Sequence, residues 1–143
     1  MREFFDILRG NADKPFSFVI LSVNEAEGTA LFHEREVWWC TLGTNIGFEQ
    51  DGSGELFTRP VVILTKFNLD ACLLVPLTAK PKKGKYYFDV GDVAGRKAVA
   101  VLSQLRFVDR KRLASKIATM DKNVFKALTR AVVTVCFPDL LKK

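Results

Sequence analysis

The sequence has little of what most catalytic sites are built from. It contains one histidine, His33, and three cysteines, Cys40, Cys72 and Cys136, none of them in a Cys-x-x-Cys pair. It has no Gly-x-Ser-x-Gly motif, no phosphate-binding loop and no dinucleotide glycine pattern. We therefore expect no metal site and no cofactor, and the enzyme classes that depend on those glycine motifs are excluded. A lone histidine is typical of a surface or capping position.

Long hydrophobic runs are also missing. No apolar stretch approaches the roughly 20 residues of a transmembrane helix. The apolar run at 16–23 is short, and acidic residues follow it where a signal peptide would have a small-residue cleavage site. We expect a cytoplasmic protein with no membrane partner. Its odd number of cysteines, each within an apolar run, indicates buried free thiols.

What the chain does have is the composition of a globular protein. Its 143 residues are 48% hydrophobic and 27% charged, which suits one domain with a substantial core. The formal net charge is +6. Such an excess permits nucleic acid, an anionic membrane or an acidic protein as a partner, and it says nothing about the fold.

Short strands dominate the pattern after residue 36. Strands are predicted at 37–42, 61–64, 72–77, 86–90, 98–103, 105–108 and 115–120. A helix is predicted at 2–9, a strand at 16–23, a long glycine-rich loop at 43–58, and an amphipathic helix at 122–137 between Asp121 as N-cap and Pro138. Many short strands with one closing helix predict a mainly β fold, a small and strongly bent barrel.

The stretch 56–79 is the organising element, since it reads as two apolar strands joined by the turn 67–70. If Lys66 faces Ala71 across this turn, antiparallel counting puts Arg59 opposite Thr78. Directly opposite Cβ atoms lie roughly 5 Å apart, so a guanidinium and a hydroxyl would be neighbours. A slip of one residue would separate them onto two faces. The alternative is an ordinary strand end with a solvated cation.

Two basic runs with aromatic neighbours follow this hairpin. Cations with aromatic rings suit single-stranded nucleic acid, because phosphates need charge and bases stack. The alternative is that both runs are solvated loops. The first run is Lys80, Lys82, Lys83 and Lys85, next to Tyr86 and Tyr87, and the second is Arg106, Arg110, Lys111 and Arg112, after Ser103 and Gln104 and beside Phe107.

Three pieces in order carry a resemblance: VWWCTLGTNIGFEQDGSGELFTRPVVIL, CLLVPLTAKPKKGKYYF and AVLSQLRFVDRKRL. From about residue 34 to the C-terminal helix, the chain resembles the PemK/MazF toxins of type II toxin–antitoxin systems. The resemblance implies an SH3-like barrel over 31–143, with 1–30 an extension of unknown role. It also implies a homodimer that cuts single-stranded mRNA at short sequences without a metal, and a small cognate antitoxin.

The resemblance assigns roles to residues as well. Arg59 and Thr78 match the family's catalytic pair. Some members have a histidine as proposed base where this chain has Phe48, and some have an aspartate where it has Ser103. Glu49 is then the nearest carboxylate for the base, with a solvated loop acid as the alternative. The resemblance and the basic runs together predict an RNA-binding set of Gln50, Lys80, Lys82, Lys83, Lys85, Ser103, Gln104 and Arg106.

A non-catalytic alternative stays open at this stage. A gyrase poison shares the barrel, and a protein of that kind would bind a protein target. Its action depends on a C-terminal Trp-Gly-Ile, which differs from the Phe137-to-Lys143 ending here. A barrel that binds RNA without cutting it is the third possibility. The presence of both Arg59 and Thr78 favours the endoribonuclease.

Overall fold

The computed structural model describes residues 31–43 and 58–142. The helix predicted at 2–9, the strand predicted at 16–23 and nearly all of the loop 43–58 lie outside the described residues. In this part of the chain, no helix is both long and apolar enough to cross a membrane.

Seven strands and one α-helix make up the described fold. They are β1 (Glu36–Thr41), β2 (Thr58–Lys66), β3 (Ala71–Thr78), β4 (Tyr87–Val93), β5 (Arg96–Val101), β6 (Arg106–Asp109), β7 (Leu113–Thr119) and α1 (Lys122–Cys136). Short 3-10 turns occupy Leu102–Gln104, Arg110–Arg112 and Pro138–Leu141. The predicted strands at 98–103 and 105–108 are thus separated by a turn that holds Ser103 and Gln104.

The strands form one curled antiparallel sheet in the order β4-β5-β3-β2-β1-β7, with β6 added beside β3. The predicted fold class, a mainly β barrel-like domain closed by a C-terminal helix, is confirmed. β3 is central because it pairs with β2, with β5 and with β6 along different parts of its length. The curl gives the sheet two faces that each bury a core.

Successive side chains of β2 point alternately into two separate cores, which we call the helix core and the far core. Val62 and Leu64 belong to the helix core, and Val61 and Ile63 belong to the far core. The helix core consists of Val37, Val62, Leu64, Val75, Leu77, Val90, Ala98, Ala100, Leu102, Met120, Leu128 and Val132. The far core consists of Phe32, Trp38, Cys40, Leu42, Val61, Ile63, Cys72, Leu74, Val108 and Leu113.

The helix α1 covers the helix core with an apolar stripe centred on the buried Leu128 and Val132. Asp121 caps it as predicted, because its carboxylate accepts from the amides of Asn123 at 2.9 Å and Val124 at 3.2 Å. The helix ends at Cys136, one residue before the predicted end, and Pro138 begins the 3-10 turn.

The hairpin of β2 and β3 departs from the predicted register at its closed end only. Lys66 pairs with Cys72 and not with Ala71, because a bulge between Ile63 and Thr65 adds one residue to β2. On the other side of the bulge, Val61 pairs with Pro76, which is the register that the sequence predicts. The open end of the hairpin therefore keeps the predicted alignment.

Candidate active site

The predicted pair, Arg59 and Thr78, lies at the open end of the β2–β3 hairpin. The last β2–β3 pair is Val61 with Pro76, and that register, continued by two residues, would bring Arg59 level with Thr78. Arg59 shares a face with Val61, and Thr78 shares a face with Pro76, since side chains two apart point the same way. Both residues are half-buried. A guanidinium and a hydroxyl therefore project from the same face, on the side of the far core.

Neighbouring strands hold each member of this pair. Arg59 pairs with Cys40 of β1. Thr78 pairs with Val99 of β5. The Thr78 Oγ1 accepts a hydrogen bond from the Lys80 amide at 3.2 Å, which leaves its own O–H proton available to a further acceptor.

A cavity of about 320 Å³ opens beside Thr78 at the end of β3. Its walls include Trp39 and Pro60, and Arg96 and Lys97 bring two cations to it from the start of β5. Pro60 alternates with Arg59 along β2, so this cavity lies mainly across the sheet from the guanidinium.

The lysines that follow Thr78 lie in an exposed connection between β3 and β4. Lys80, Lys82, Lys83 and Lys85 are all exposed, and the Lys85 Nζ lies 4.8 Å from the Tyr86 ring centroid. They supply positive charge beside the open end of the hairpin.

The three residues predicted from the SQLR segment have different surroundings. Ser103 is exposed and Gln104 is half-buried, both within the 3-10 turn. Arg106 stands on β6 opposite Leu74 of β3, which sets it on the face of the far core. Glu49 and Gln50 lie outside the described residues.

Arg112 belongs to the second basic run but not to the predicted RNA-binding set, and in the structure it contacts β1. Its Nη1 donates to the Thr41 carbonyl at 3.0 Å, so it crosses to β1 one residue from the partner of Arg59. The 3-10 turn capped by Asp109 ends at Arg112, and Leu113 then pairs with Cys40. The signal that could have found it is its place as the last cation before a strand.

The Cys40 thiol is buried in the far core, on the strand that pairs with Arg59. Burial raises the pKa of Cys40 to about 12, while the positive charges of Arg112 and Arg106 oppose that rise. Of the arginines named so far, Arg59 pairs with Cys40 of β1 and Arg112 donates to the Thr41 carbonyl of the same strand.

His33 contacts a buried carboxylate rather than this site. Its amide donates to Glu36 Oε2 at 2.9 Å, and its Nδ1 lies 3.2 Å from Glu36 Oε1. In residues 31–43 and 58–142, no group of three or more His, Cys, Asp or Glu side chains is arranged to hold a metal ion.

Comparison with known proteins gives a family and a fold. The family model described as the PemK-like, MazF-like toxin of type II toxin–antitoxin systems matches residues 33–136. A comparison with curated protein sequences finds no significant match.

Solved structures match the chain at low identity. The crystal structure of MazF from Deinococcus radiodurans is 18% identical with a TM-score of 0.62, over 75% of this chain and 97% of that one. An endoribonuclease from a mycobacterial species, in complex with its cognate antitoxin, is 12% identical with a TM-score of 0.58, over 74% and 95%. The Mycobacterium tuberculosis toxin MazF-mt6 is 17% identical with a TM-score of 0.55, over 71% and 96%.

Proposed function

The chain belongs to the PemK-like, MazF-like toxins of type II toxin–antitoxin systems, and on that premise we propose that it is an endoribonuclease. It cuts single-stranded mRNA at short specific sequences by transesterification, without a metal ion. It acts in the cytoplasm as a homodimer, and a cognate antitoxin neutralises it. One observation supports the proposal: Val61 pairs with Pro76, and that register, continued by two residues, would bring Arg59 level with Thr78 on one face.

The reaction needs no nucleophile from the protein. The 2′-oxygen of a ribose attacks the adjacent phosphorus, its proton passes to a base, and the 5′-oxygen leaves with a proton. The products are a 2′,3′-cyclic phosphate and a 5′-hydroxyl. The protein must hold the attacking and leaving oxygens in line and stabilise the negative charge that grows on the phosphoryl oxygens.

Arg59 and Thr78 meet that requirement as hydrogen-bond donors. The planar guanidinium of Arg59 offers parallel N–H groups, a geometry that matches two phosphate oxygens. The O–H of Thr78 donates to a phosphate oxygen while its Oγ1 accepts from Lys80. We assign Glu49 the role of general base on the resemblance alone.

The RNA strand would extend from this pair along the basic surface. The exposed lysines that follow Thr78 compensate the phosphates, and Gln50, Ser103, Gln104 and Arg106 contact bases, sugar or phosphate. The set of lysines is Lys80, Lys82, Lys83 and Lys85. The net charge of +6 also suits an acidic antitoxin segment in the same groove. A mycobacterial endoribonuclease of this fold is known in complex with its cognate antitoxin.

The test is cleavage of a long single-stranded RNA by the purified full chain with EDTA present. Discrete cuts ending in 2′,3′-cyclic phosphate are expected, and Arg59→Ala should abolish them. Arg130→Ala, on the exposed side of α1, is the matched control and should cut normally. No cutting by folded wild type would contradict the proposal and leave a non-catalytic barrel that binds RNA or a protein target.

A further inference from the structure

The closed end of the β2–β3 hairpin carries an exposed apolar surface that the proposed function does not use. Phe67 is 56% exposed, Leu69 is 61% exposed and Phe107 of β6 is 65% exposed. The ring centroids of Phe67 and Phe107 lie 6.1 Å apart, so the turn and β6 present one surface. We call these three residues the apolar patch. Contiguous exposed apolar side chains mark a surface that another segment or molecule covers.

The backbone beneath the apolar patch is held in place by hydrogen bonds. The Phe67 amide donates to the Ala71 carbonyl at 3.1 Å, which closes the turn. Within the turn, the Asp70 amide donates to Asn68 Oδ1 at 2.7 Å. The Arg110 amide donates to the Asp70 carbonyl at 2.8 Å, which joins the turn to the residues just after β6. The apolar side chains are therefore exposed on a well-defined backbone.

The described part of the chain begins beside this patch. The Lys66 Nζ lies 5.0 Å from the Phe32 ring centroid, and the Lys66 amide donates to Glu34 Oε1 at 3.2 Å. Lys66 directly precedes the first residue of the patch. Leu31, the first described residue, is itself 69% exposed. The N-terminal extension therefore joins the domain next to the apolar patch.

The segment 16–23 of that extension has a sequence suited to cover the patch. Six of its eight residues, FSFVILSV, are apolar and none is charged, so its exposure to water would be unfavourable. The seven residues 24–30, which connect it to the domain, span at most about 25 Å. They include Glu25 and Glu27, which are opposite in charge to Lys66 at the point of entry.

The size of the apolar patch favours a short segment over a second copy of the chain. Its three side chains expose on the order of 400 Å², which is about half of the ~800 Å² that each partner buries in a standard interface. An eight-residue apolar segment within reach of the patch is the better match to that area.

We propose that the apolar patch is the docking surface for residues 16–23 of the same chain. This gives the N-terminal extension a place on the domain. Arg59 precedes the patch by eight residues along β2, roughly 26 Å at about 3.3 Å per residue. Docking at the closed end of the hairpin therefore leaves the proposed active site open, and the inference does not depend on the proposed function.

Limited proteolysis of the full chain, without RNA, tests the docking. Chymotrypsin cleavage within 16–23 is followed by mass spectrometry for wild type, Phe67→Glu and Phe107→Glu. Phe137→Glu is the matched control, because Phe137 is 55% exposed but follows α1, outside the patch. Each variant must first show a cooperative thermal transition. Cleavage should be at least ~10-fold faster in the two patch variants, since the protease samples the undocked form, and unchanged in the control.

Disulfide cross-linking of the full chain distinguishes the possible occupants. Leu69→Cys is combined with Cys136→Ser, which removes the thiol that is only partly buried. A second cysteine is placed within the segment by one of Phe18→Cys, Val19→Cys, Ile20→Cys and Leu21→Cys. Isotopically light and heavy proteins are unfolded, refolded together and oxidised, so that any dimer contains both labels. Docking within one chain should give linked peptides of a single label only.

The inference is overturned if both patch variants are cut at the wild-type rate, or if Phe137→Glu accelerates cleavage as much as they do. It is also overturned if no segment position forms a cross-link, or if the linked peptides carry mixed labels, which would assign the patch to a second copy. Because no RNA is present, each of these outcomes is distinct from failure of the proposed function.

Discussion

The indole N–H of Trp38 donates a 2.8 Å hydrogen bond to the carboxylate of Glu36, two residues away on β1. Glu36 is only 7% exposed, and it also accepts from the His33 amide and contacts Lys116 at 3.2 Å. Burial alone would raise the pKa of Glu36, but the hydrogen bonds outweigh it and hold the pKa below the usual 4.5. This contact fixes the start of β1, the strand that carries Cys40.

Replacement of Glu36 should therefore cost stability in a pH-dependent way. Glu36→Gln leaves Lys116 without its anion, and a loss of about 1–3 kcal/mol in the free energy of unfolding is expected at pH 7. A carboxylate whose pKa is lower in the folded than in the unfolded protein stabilises the fold at pH values above the unfolded pKa, which is near 4.5. This stabilisation is lost as the pH falls through the folded pKa. Urea denaturation of both proteins at a series of pH values from 7 to 3 measures this pH dependence.

The free energies of unfolding of wild type and Glu36→Gln should converge as the pH is lowered. Glu34→Gln, at an exposed position two residues earlier, is the control and should show no more than a small loss. A gap between wild type and Glu36→Gln that stays constant down to pH 3 would contradict the assigned cause.

We expect Asp121 to contribute the usual energy of a helix N-cap to the free energy of unfolding. Its carboxylate satisfies two amides of the first turn of α1, at 2.9 and 3.2 Å. Asp121→Ala is expected to lower the free energy of unfolding by about 1 kcal/mol, while Asp121→Asn should retain most of it. Chemical denaturation gives both values. Equal losses in the two variants would show that charge, and not the cap geometry, is what matters.

The three thiols should differ sharply in reactivity. Burial raises the pKa of Cys40 to about 12 and is also the main cause that raises the pKa of Cys72 to about 11, whereas Cys136 is partly exposed. Since the thiolate is the reacting species, Cys136 should be alkylated first at pH 8 and the other two only slowly. Peptide mass spectrometry after timed alkylation distinguishes them. In guanidinium the three should react alike, and fast native labelling of Cys40 would contradict its burial.

The sequence predicts the register that pairs Val61 with Pro76 but not the bulge farther along β2. Counting outward from the turn is wrong by one residue at Lys66, yet the extra residue lies between Ile63 and Thr65. Residues 61–64 are all buried because the curled sheet has a core on both faces. With apolar residues on both faces, the pattern has no alternation that could reveal a shift.

The direction in which Arg112 points could not be predicted from the sequence either. Arg110, Lys111 and Arg112 are three consecutive cations, and nothing in their order separates them. Their directions come from the turn that Asp109 caps by accepting from the Lys111 amide at 2.8 Å. That turn sends Arg110 to Asp70 and Arg112 to the Thr41 carbonyl. The tertiary partners, rather than local propensity, decide where each of these cations points.

The hydroxyl of Thr78 offers the sharpest kinetic test of the proposed catalytic pair. Thr78→Val keeps the shape of the side chain and removes the donor, so the rate at saturating RNA should fall ~10²–10³-fold. Thr78→Ser restores an O–H and should recover most of that loss. Because Oγ1 also accepts from the Lys80 amide, the melting temperature of each variant must be measured beside its single-turnover rate.

The matched control is Thr65→Val, at a half-buried threonine at the other end of the hairpin, and this variant should cut at the wild-type rate.

A double mutant tests whether Arg59 and Thr78 stabilise the same phosphoryl oxygens. If they do, the cleavage rate of Arg59→Ala combined with Thr78→Val should fall by less than the product of the two single losses, since groups that act as a unit are not additive. Fully multiplicative losses would mean that the two residues act on separate steps. Thr78→Val with wild-type single-turnover kinetics would remove Thr78 from the mechanism.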